Sequence, residues 1–185
     1  MGKVDQQRGF TLIEMMAAIL IVAVLAAIAI PGFRSVSQGV QQRDALVDFS
    51  KMLSRMRTEA ASRYLGISLC ASADQATCSG SNTWETGWIM FVDGLPGSAP
   101  DQALDNGEEA FKVHEALPTG MTLHTVGGAS VVTVGADGVP LSQATFVLCD
   151  ERGISSMKVV ILGPGGVVRF GTDDKDAAGN AITSC

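Results

Sequence analysis

One carboxylate stands alone in a long apolar stretch. From Phe10 to Ile30 the chain runs for 21 residues in which only Thr11 and Glu14 are polar. A helix rises about 1.5 Å per residue, so a run of this length crosses the hydrocarbon core of a bilayer. A carboxylate at the centre of such a helix costs about 2.5–3.5 kcal/mol, and less near the interface. An ion pair with an opposite charge removes that cost. The residues just upstream offer one. Residues 1–9 are polar, carry Lys3 and Arg8, and end on the small residue Gly9. A secretory signal places its small-residue cleavage site after the apolar region; here the small residue precedes it. Cleavage after Gly9 leaves the helix attached, makes Phe10 the new N-terminus, and sets a free amine close to the level of Glu14.

Four cysteines form the second chemical set: Cys70, Cys78, Cys149 and Cys185. An even number in an exported domain reads as two disulfides with three possible pairings. Cys70 and Cys78 flank a short polar stretch, and Cys149 with Cys185 would tie the last residue back to the domain; this pairing is preferred. The rival zinc reading lacks a Cys-x-x-Cys, and His114 and His124 lie far from any cysteine in sequence. Enzyme readings find little support. Gly163-Pro164-Gly165-Gly166 lacks the Lys-Ser/Thr of a phosphate loop, and no Gly-x-Ser-x-Gly elbow occurs. Asp173-Asp174-Lys175-Asp176 and Asn180 offer oxygen ligands but not EF-hand spacing, so a solvated loop is expected. No cofactor or metal is expected.

The elements that carry these residues follow from periodicity. Beyond the interruption at Pro31-Gly32, which kinks a helix without having to end it, Leu46, Phe49, Leu53, Met56, Ala60 and Tyr64 recur at three- and four-residue spacing. Charged residues fill the other positions. The helix therefore spans a membrane first and then presents one face to a domain, and it should stop near Leu65-Gly66, where glycine suits a C-terminal cap. Eight short β-rich segments follow, at 66–70, 88–92, 109–114, 121–126, 130–134, 144–148, 157–162 and 167–170, separated by turn residues such as Asp93-Gly94 and Asp137-Gly138. The expected class is α+β: a long N-terminal helix packed on an antiparallel β-sheet head. The boundaries read as 1–9 leader, 10–30 membrane half of the helix, 31–65 amphipathic half and 66–185 head. Trp88, Ile89 and Phe91 are expected in the core beneath the helix.

Charge bounds the partners. The 185 residues carry a formal charge of −6, and losing Lys3, Asp5 and Arg8 with the leader takes it to −7. From Arg34 onward there are 11 Lys and Arg against 17 Asp and Glu. Such a domain repels phosphate on average, so a nucleic-acid partner is disfavoured. Lys3 and Arg8 on one side of the helix favour a cytoplasmic leader and an exported head.

Gly9-Phe10-Thr11-Leu12-Ile13-Glu14 followed by an apolar helix resembles the type IV prepilin signature shared by pilins, minor pilins and type II secretion pseudopilins. The resemblance implies a prepilin peptidase that cuts between Gly9 and Phe10 and N-methylates Phe10. It also implies that Glu14 pairs with the N-terminal amine of a neighbouring subunit. Arg63, Gly66-Ile67-Ser68-Leu69-Cys70, Cys78, Trp84, the run from Gly87 to Asp93, and Leu148-Cys149-Asp150-Glu151-Arg152-Gly153 look like the GspH/FimT/FimU group of minor pilins and pseudopilins. That group implies a subunit near a filament tip, anchored in the bacterial inner membrane with its head in the periplasm, and then in a pilus or pseudopilus. It implies as partners major and minor pilin or pseudopilin subunits, an inner-membrane assembly platform and membrane lipid. Three roles are compatible with it: a minor pilin of a type IV pilus, a minor pseudopilin of a type II secretion system, or a DNA receptor for transformation. The DNA-binding branch is marked by Gly-Arg-x-Arg; here Gly166 and Arg169 match but Val167 replaces the first arginine. Any DNA contact would fall to Arg152, Lys158 and Arg169, few enough to be weak and salt-sensitive.

Overall fold

The computed structural model describes residues 10–94, 96–105, 107–171 and 174–185. Gly9 with the rest of segment 1–9, and Asp173 of the acidic run, lie outside the described residues. The chain divides into two units, 1–40 and 41–185, and one helix, α1 (Leu12–Arg63), contributes to both. Helical structure continues through Pro31 and Gly32. In the first unit the large apolar side chains from Leu12 to Ile30 expose 52–80 % of their surface. A helix that is apolar on all sides and uncovered by its own chain needs an apolar surround from outside it.

In the second unit α1 buries Leu46, Phe49, Leu53, Met56 and Ala60 along one stripe. The other side carries surface ion pairs, Lys51–Asp48 at 2.9 Å, Arg55–Glu59 at 3.0 Å and Arg63–Glu59 at 3.1 Å. The sixth residue of the expected stripe does not join it. Tyr64 is 82 % exposed and sits in the left-handed region at φ 56°. The helix ends at Arg63, so Tyr64 makes the turn expected of glycine. Gly66 is needed for a different reason: a Cβ there would lie 2.7 Å from the Asp93 carbonyl oxygen and collide with Pro100. It is a close-packing glycine in a strand, not a cap.

Eight strands follow among the described residues: β1 (Gly66–Ala71), β2 (Trp88–Asp93), β3 (Ala110–His114), β4 (Thr122–Thr125), β5 (Val131–Val134), β6 (Ala144–Cys149), β7 (Lys158–Leu162) and β8 (Val168–Gly171). They form two antiparallel sheets, ordered β3-β2-β1-β5 and β4-β6-β7-β8. The helix stripe packs with residues of both. Phe49 meets Trp84, Trp88 and Phe146 edge-on, with ring centroids 6.0, 4.9 and 4.6 Å away, and Trp84 meets Phe146 at 5.1 Å. Each such pair adds about 0.5–1.5 kcal/mol beyond its burial.

Both faces of the first sheet are covered over β1 and β2. Successive strand side chains point to opposite faces, so Trp88 and Met90 enter the helix-side core while Ile89 and Phe91 enter a second cluster with Cys70. The expectation that Trp88, Ile89 and Phe91 all lie beneath the helix therefore holds for Trp88 alone. The second sheet is likewise covered, by Val147, Cys149 and Met157 with Ile182 from the C-terminal segment. The second face of the first sheet also buries polar groups. Ser68 donates to the Asp93 carboxylate and lies 2.6 Å from Thr133 Oγ1. Asp93 also accepts the backbone N–H groups of Asp101, at 2.8 Å, and Gln102, at 3.1 Å, holding the segment that follows β2.

Candidate functional site

The N-terminal end of α1 is built as a reciprocal cap. Glu14 Oε2 accepts the Thr11 backbone N–H at 3.1 Å and the Thr11 hydroxyl at 3.1 Å, while the Glu14 N–H donates to Thr11 Oγ1 at 3.3 Å. A first helical turn leaves N–H groups without partners, and Thr-x-x-Glu satisfies two of them locally. The carboxylate also lies at the positive end of the helix dipole. Thr11-Leu12-Ile13-Glu14 spells this box in the sequence, yet reading Glu14 only as a charge overlooks it. Phe10 next to it is 82 % exposed.

The four cysteines form two bonds, Cys70–Cys78 and Cys149–Cys185, with Cα atoms 5.6 and 5.8 Å apart. No free thiol is left to ligate zinc. The second bond holds the C-terminal segment to β6, and Ala177 N–H donates to Thr145 Oγ1 at 2.9 Å nearby. Asp176 turns inward on its own loop, accepting from Asn180 Nδ2 at 3.0 Å and from the backbone N–H groups of Asn180 and Ala178 at 2.8 and 2.9 Å. Those bonds, the Asn180 side chain first, lower its pKa. Asp93, Asp101 and Glu108 bring carboxylate oxygens within 4.8 Å of one another. Their oxygens are engaged in folding the loop: besides the bonds to Asp93, Glu108 accepts the N–H of Gly94 at 2.6 Å and of Asp105 at 2.9 Å.

The three basic residues singled out for DNA are not gathered into one surface. Arg152 grips Asp150 through Nε, at 3.0 and 3.1 Å from the two carboxylate oxygens, and reaches Gln42 Oε1 at 3.3 Å through Nη2. Gln42 is 1 % exposed and donates to the Ser156 carbonyl at 2.9 Å, fastening α1 to the β6–β7 turn. Arg152, with help from Ser156, holds the Asp150 carboxyl at about 2, below the usual carboxylate range. Lys158 stands opposite Leu148, on the helix side of the second sheet; Arg169 stands opposite Ile161, on the other side. The sequence did not single out Gln42, and it marked Trp84 through the resemblance alone, not as a core residue. Gln42 depends on Leu148 and its neighbourhood, 106 positions away, and Trp84 on Phe49 and Phe146, 35 and 62 positions away.

Comparison with known proteins agrees with this architecture. Residues 5–30 match the model of the prokaryotic N-terminal methylation motif, and residues 46–166 match that of the type II transport protein GspH. The prepilin peptidase-dependent protein D of Escherichia coli (strain K12) is 37 % identical over 128 residues, covering 69 % of this chain and 72 % of that protein. The type IV minor pilin FimU of Pseudomonas aeruginosa has a similar fold in two crystal forms. One aligns with a TM-score of 0.56 at 20 % identity, over 80 % of this chain and 98 % of FimU. The other gives 0.54 at 19 % identity, over 77 % and 98 %. With a methylation motif leading into a helix-backed, two-sheet head matched over residues 46–166, the chain belongs to the GspH family of pilin-like proteins.

Proposed function

We propose that the chain is a minor pilin, a structural and non-enzymatic subunit of a type IV pilus that contributes to assembly initiation and the tip complex. One observation carries the reading: a methylation motif at 5–30 is joined by a single helix to a GspH head at 46–166. The leader is cut between Gly9 and Phe10, and the new Phe10 amine is methylated. The similarity to a protein named for its dependence on prepilin peptidase supports that step. The apolar helix holds the subunit in the inner membrane with its head in the periplasm, where two disulfides form readily.

Glu14 then acts at assembly. In the uncut chain its partners are the neutral donors of Thr11, which supply no opposite charge. The amine of a neighbouring subunit offers a charge-assisted bond, about twice as strong as a neutral one. That difference draws the helix out of lipid and into a bundle with other pilin subunits, on the assembly platform. A second reading, a minor pseudopilin of a type II secretion system, is favoured by the family's own description as a type II transport protein. Duplex DNA is a poor partner: Arg152 is committed to Asp150, while Lys158 and Arg169 face opposite sides of their sheet.

Intact-mass analysis of the membrane form, from cells with and without the peptidase, tests the proposal. The expected product begins at methylated Phe10 and co-purifies with sheared filaments. A chain still beginning at Met1 in peptidase-carrying cells sinks it. Deletion that abolishes secretion rather than piliation moves the assignment to the second reading.

A further inference from the structure

The first sheet ends at β3, whose outer edge has no strand partner among the described residues. Alternate residues of such an edge direct N–H and C=O groups outward, ready to pair with another chain. Lys112 and His114 stand opposite Met90 and Trp88, which belong to the helix-side core, so both basic side chains lie on the side facing α1. There they border a cleft of about 260 Å³, whose opposite wall is Asp48, Lys51 and Arg55 of α1. Three permanent cations meet the carboxylate of Asp48 and, through its bond to Arg55, that of Glu59, which leaves one positive charge in excess in a chain whose formal charge is −6. Lys51 and Arg55 are held in exposed pairs with Asp48 and Glu59, which salt and competing anions screen. Lys112 has no ion-pair partner among the described residues. Val113, on the opposite side of the strand, is 50 % exposed.

We propose that the β3 edge and this cationic cleft form a docking surface for an extended, acid-rich strand from a neighbouring pilin-like subunit. The incoming strand adds to the sheet beside β3. Its alternate carboxylates face Lys112, His114, Lys51 and Arg55, and its intervening apolar residues cover Val113. Over Lys112–His114, past the bulge that leaves Phe111 on the helix side with Lys112, the period of two makes that division. A polypeptide fits better than a nucleic acid. It uses the open backbone and Val113, and it brings a few charges to a local patch, whereas a duplex brings dense charge against the mean negative field. Only the source of the strand rests on the filament reading.

The test uses the full chain in detergent micelles and a synthetic peptide of about eight residues alternating Glu and Val, long enough to pair along β3. Binding is read by peptide anisotropy and by tryptophan fluorescence, since the His114 ring stacks on Trp88 at 4.0 Å. Saturable binding is expected, weaker at about 0.15 M than at about 0.05 M salt. It should fall about tenfold or more in Lys112→Glu and by less in Lys112→Gln, with thermal melting unchanged. No binding by the wild type, an equal response to a Lys–Val peptide, or unaltered binding by Lys112→Glu overturns the proposal. So does tighter binding of a short DNA duplex at the same cleft. In filament-producing cells, a photo-crosslinker at Val113 should capture another subunit. A chain present in sheared filaments but uncrosslinked from 113 overturns the docking surface and leaves the filament reading standing. A wild-type chain absent from filaments sinks the filament reading instead, and the peptide titration still decides the cleft.

Discussion

The two units of this chain solve opposite problems. The first unit leaves its apolar side chains from Leu12 to Ile30 uncovered, and the polar residues of its apolar run, Thr11 and Glu14, satisfy each other within a single turn. The head covers both faces of its sheets and reduces Phe49, Leu53, Trp84 and Trp88 to 0–1 % exposure. A helix without tertiary contacts draws its stability from local hydrogen bonds and from its surroundings; a head with a packed core draws it from long-range contacts. Substitutions in the first unit should therefore change what the protein joins, and substitutions in the second should change whether it folds.

The sharpest way to break this comparison is to empty the centre of the head. Phe49→Ala removes the ring that meets Trp84, Trp88 and Phe146. It should destabilise the head by about 3–5 kcal/mol in denaturant melts while membrane insertion is unchanged. A loss under about 1 kcal/mol would mean that the aromatic cluster is not the core. Next comes the C-terminal bond. Cys149–Cys185 spans a sequence separation of 36, and its loss in a Cys149→Ser/Cys185→Ser chain should cost about 3–4 kcal/mol in the chain-entropy model. Cys70–Cys78, with a separation of 8, should cost about 2–3 kcal/mol by the same relation. Equal losses would show that the entropy of the closed loop is not the governing quantity.

In the helix, Glu14→Ala should leave the head's melting unchanged and insertion intact, yet reduce recovery in sheared filaments about tenfold or more, equivalent to about 1.4 kcal/mol. Glu14→Gln sharpens the point. Glutamine still closes the box with Thr11 but carries no charge, so it should fail as alanine does. Wild-type recovery of Glu14→Gln would assign the residue to capping alone.

The smallest effect is electrostatic. Asp150 has its folded-state pKa lowered to about 2 by Arg152 and Ser156. A lowered carboxyl pKa contributes stability that is complete above the unfolded-state value, near 4, and that disappears as pH falls through the folded value. Asp150→Asn should therefore lower the melting temperature by a constant amount between pH 5 and 7, a range about one unit or more above that value. The difference from wild type should close as pH falls from about 4 towards 2. A difference that persists at the acid end would assign the effect to geometry rather than charge.

Much of this protein is written locally. Twenty-one residues almost free of polar side chains specify a membrane-length helix, and Thr11 with Glu14 specify its cap, because both effects act within a few turns. The eight strands and the antiparallel class were legible from period-two runs broken by glycine turns, and the helix stripe from Leu46 to Ala60 from three- and four-residue spacing. What tertiary structure decided is which face meets what. Alternation separates Trp88 from Ile89 but does not say that both sides of the sheet are covered. The close approach at Gly66 depends on Pro100 and Asp93, residues brought near only by folding. Arg152 takes its charge partner from Asp150, two positions away, while its contact with Gln42, 110 positions away, comes only with folding. Lys112 meets Lys51 and Arg55 across a cleft for the same reason. Local hydrogen bonds, ion pairs within four residues and hydrophobic periodicity are properties of a segment, whereas face-to-face packing and the meeting of distant segments at one cleft are properties of neighbours that only the folded chain supplies.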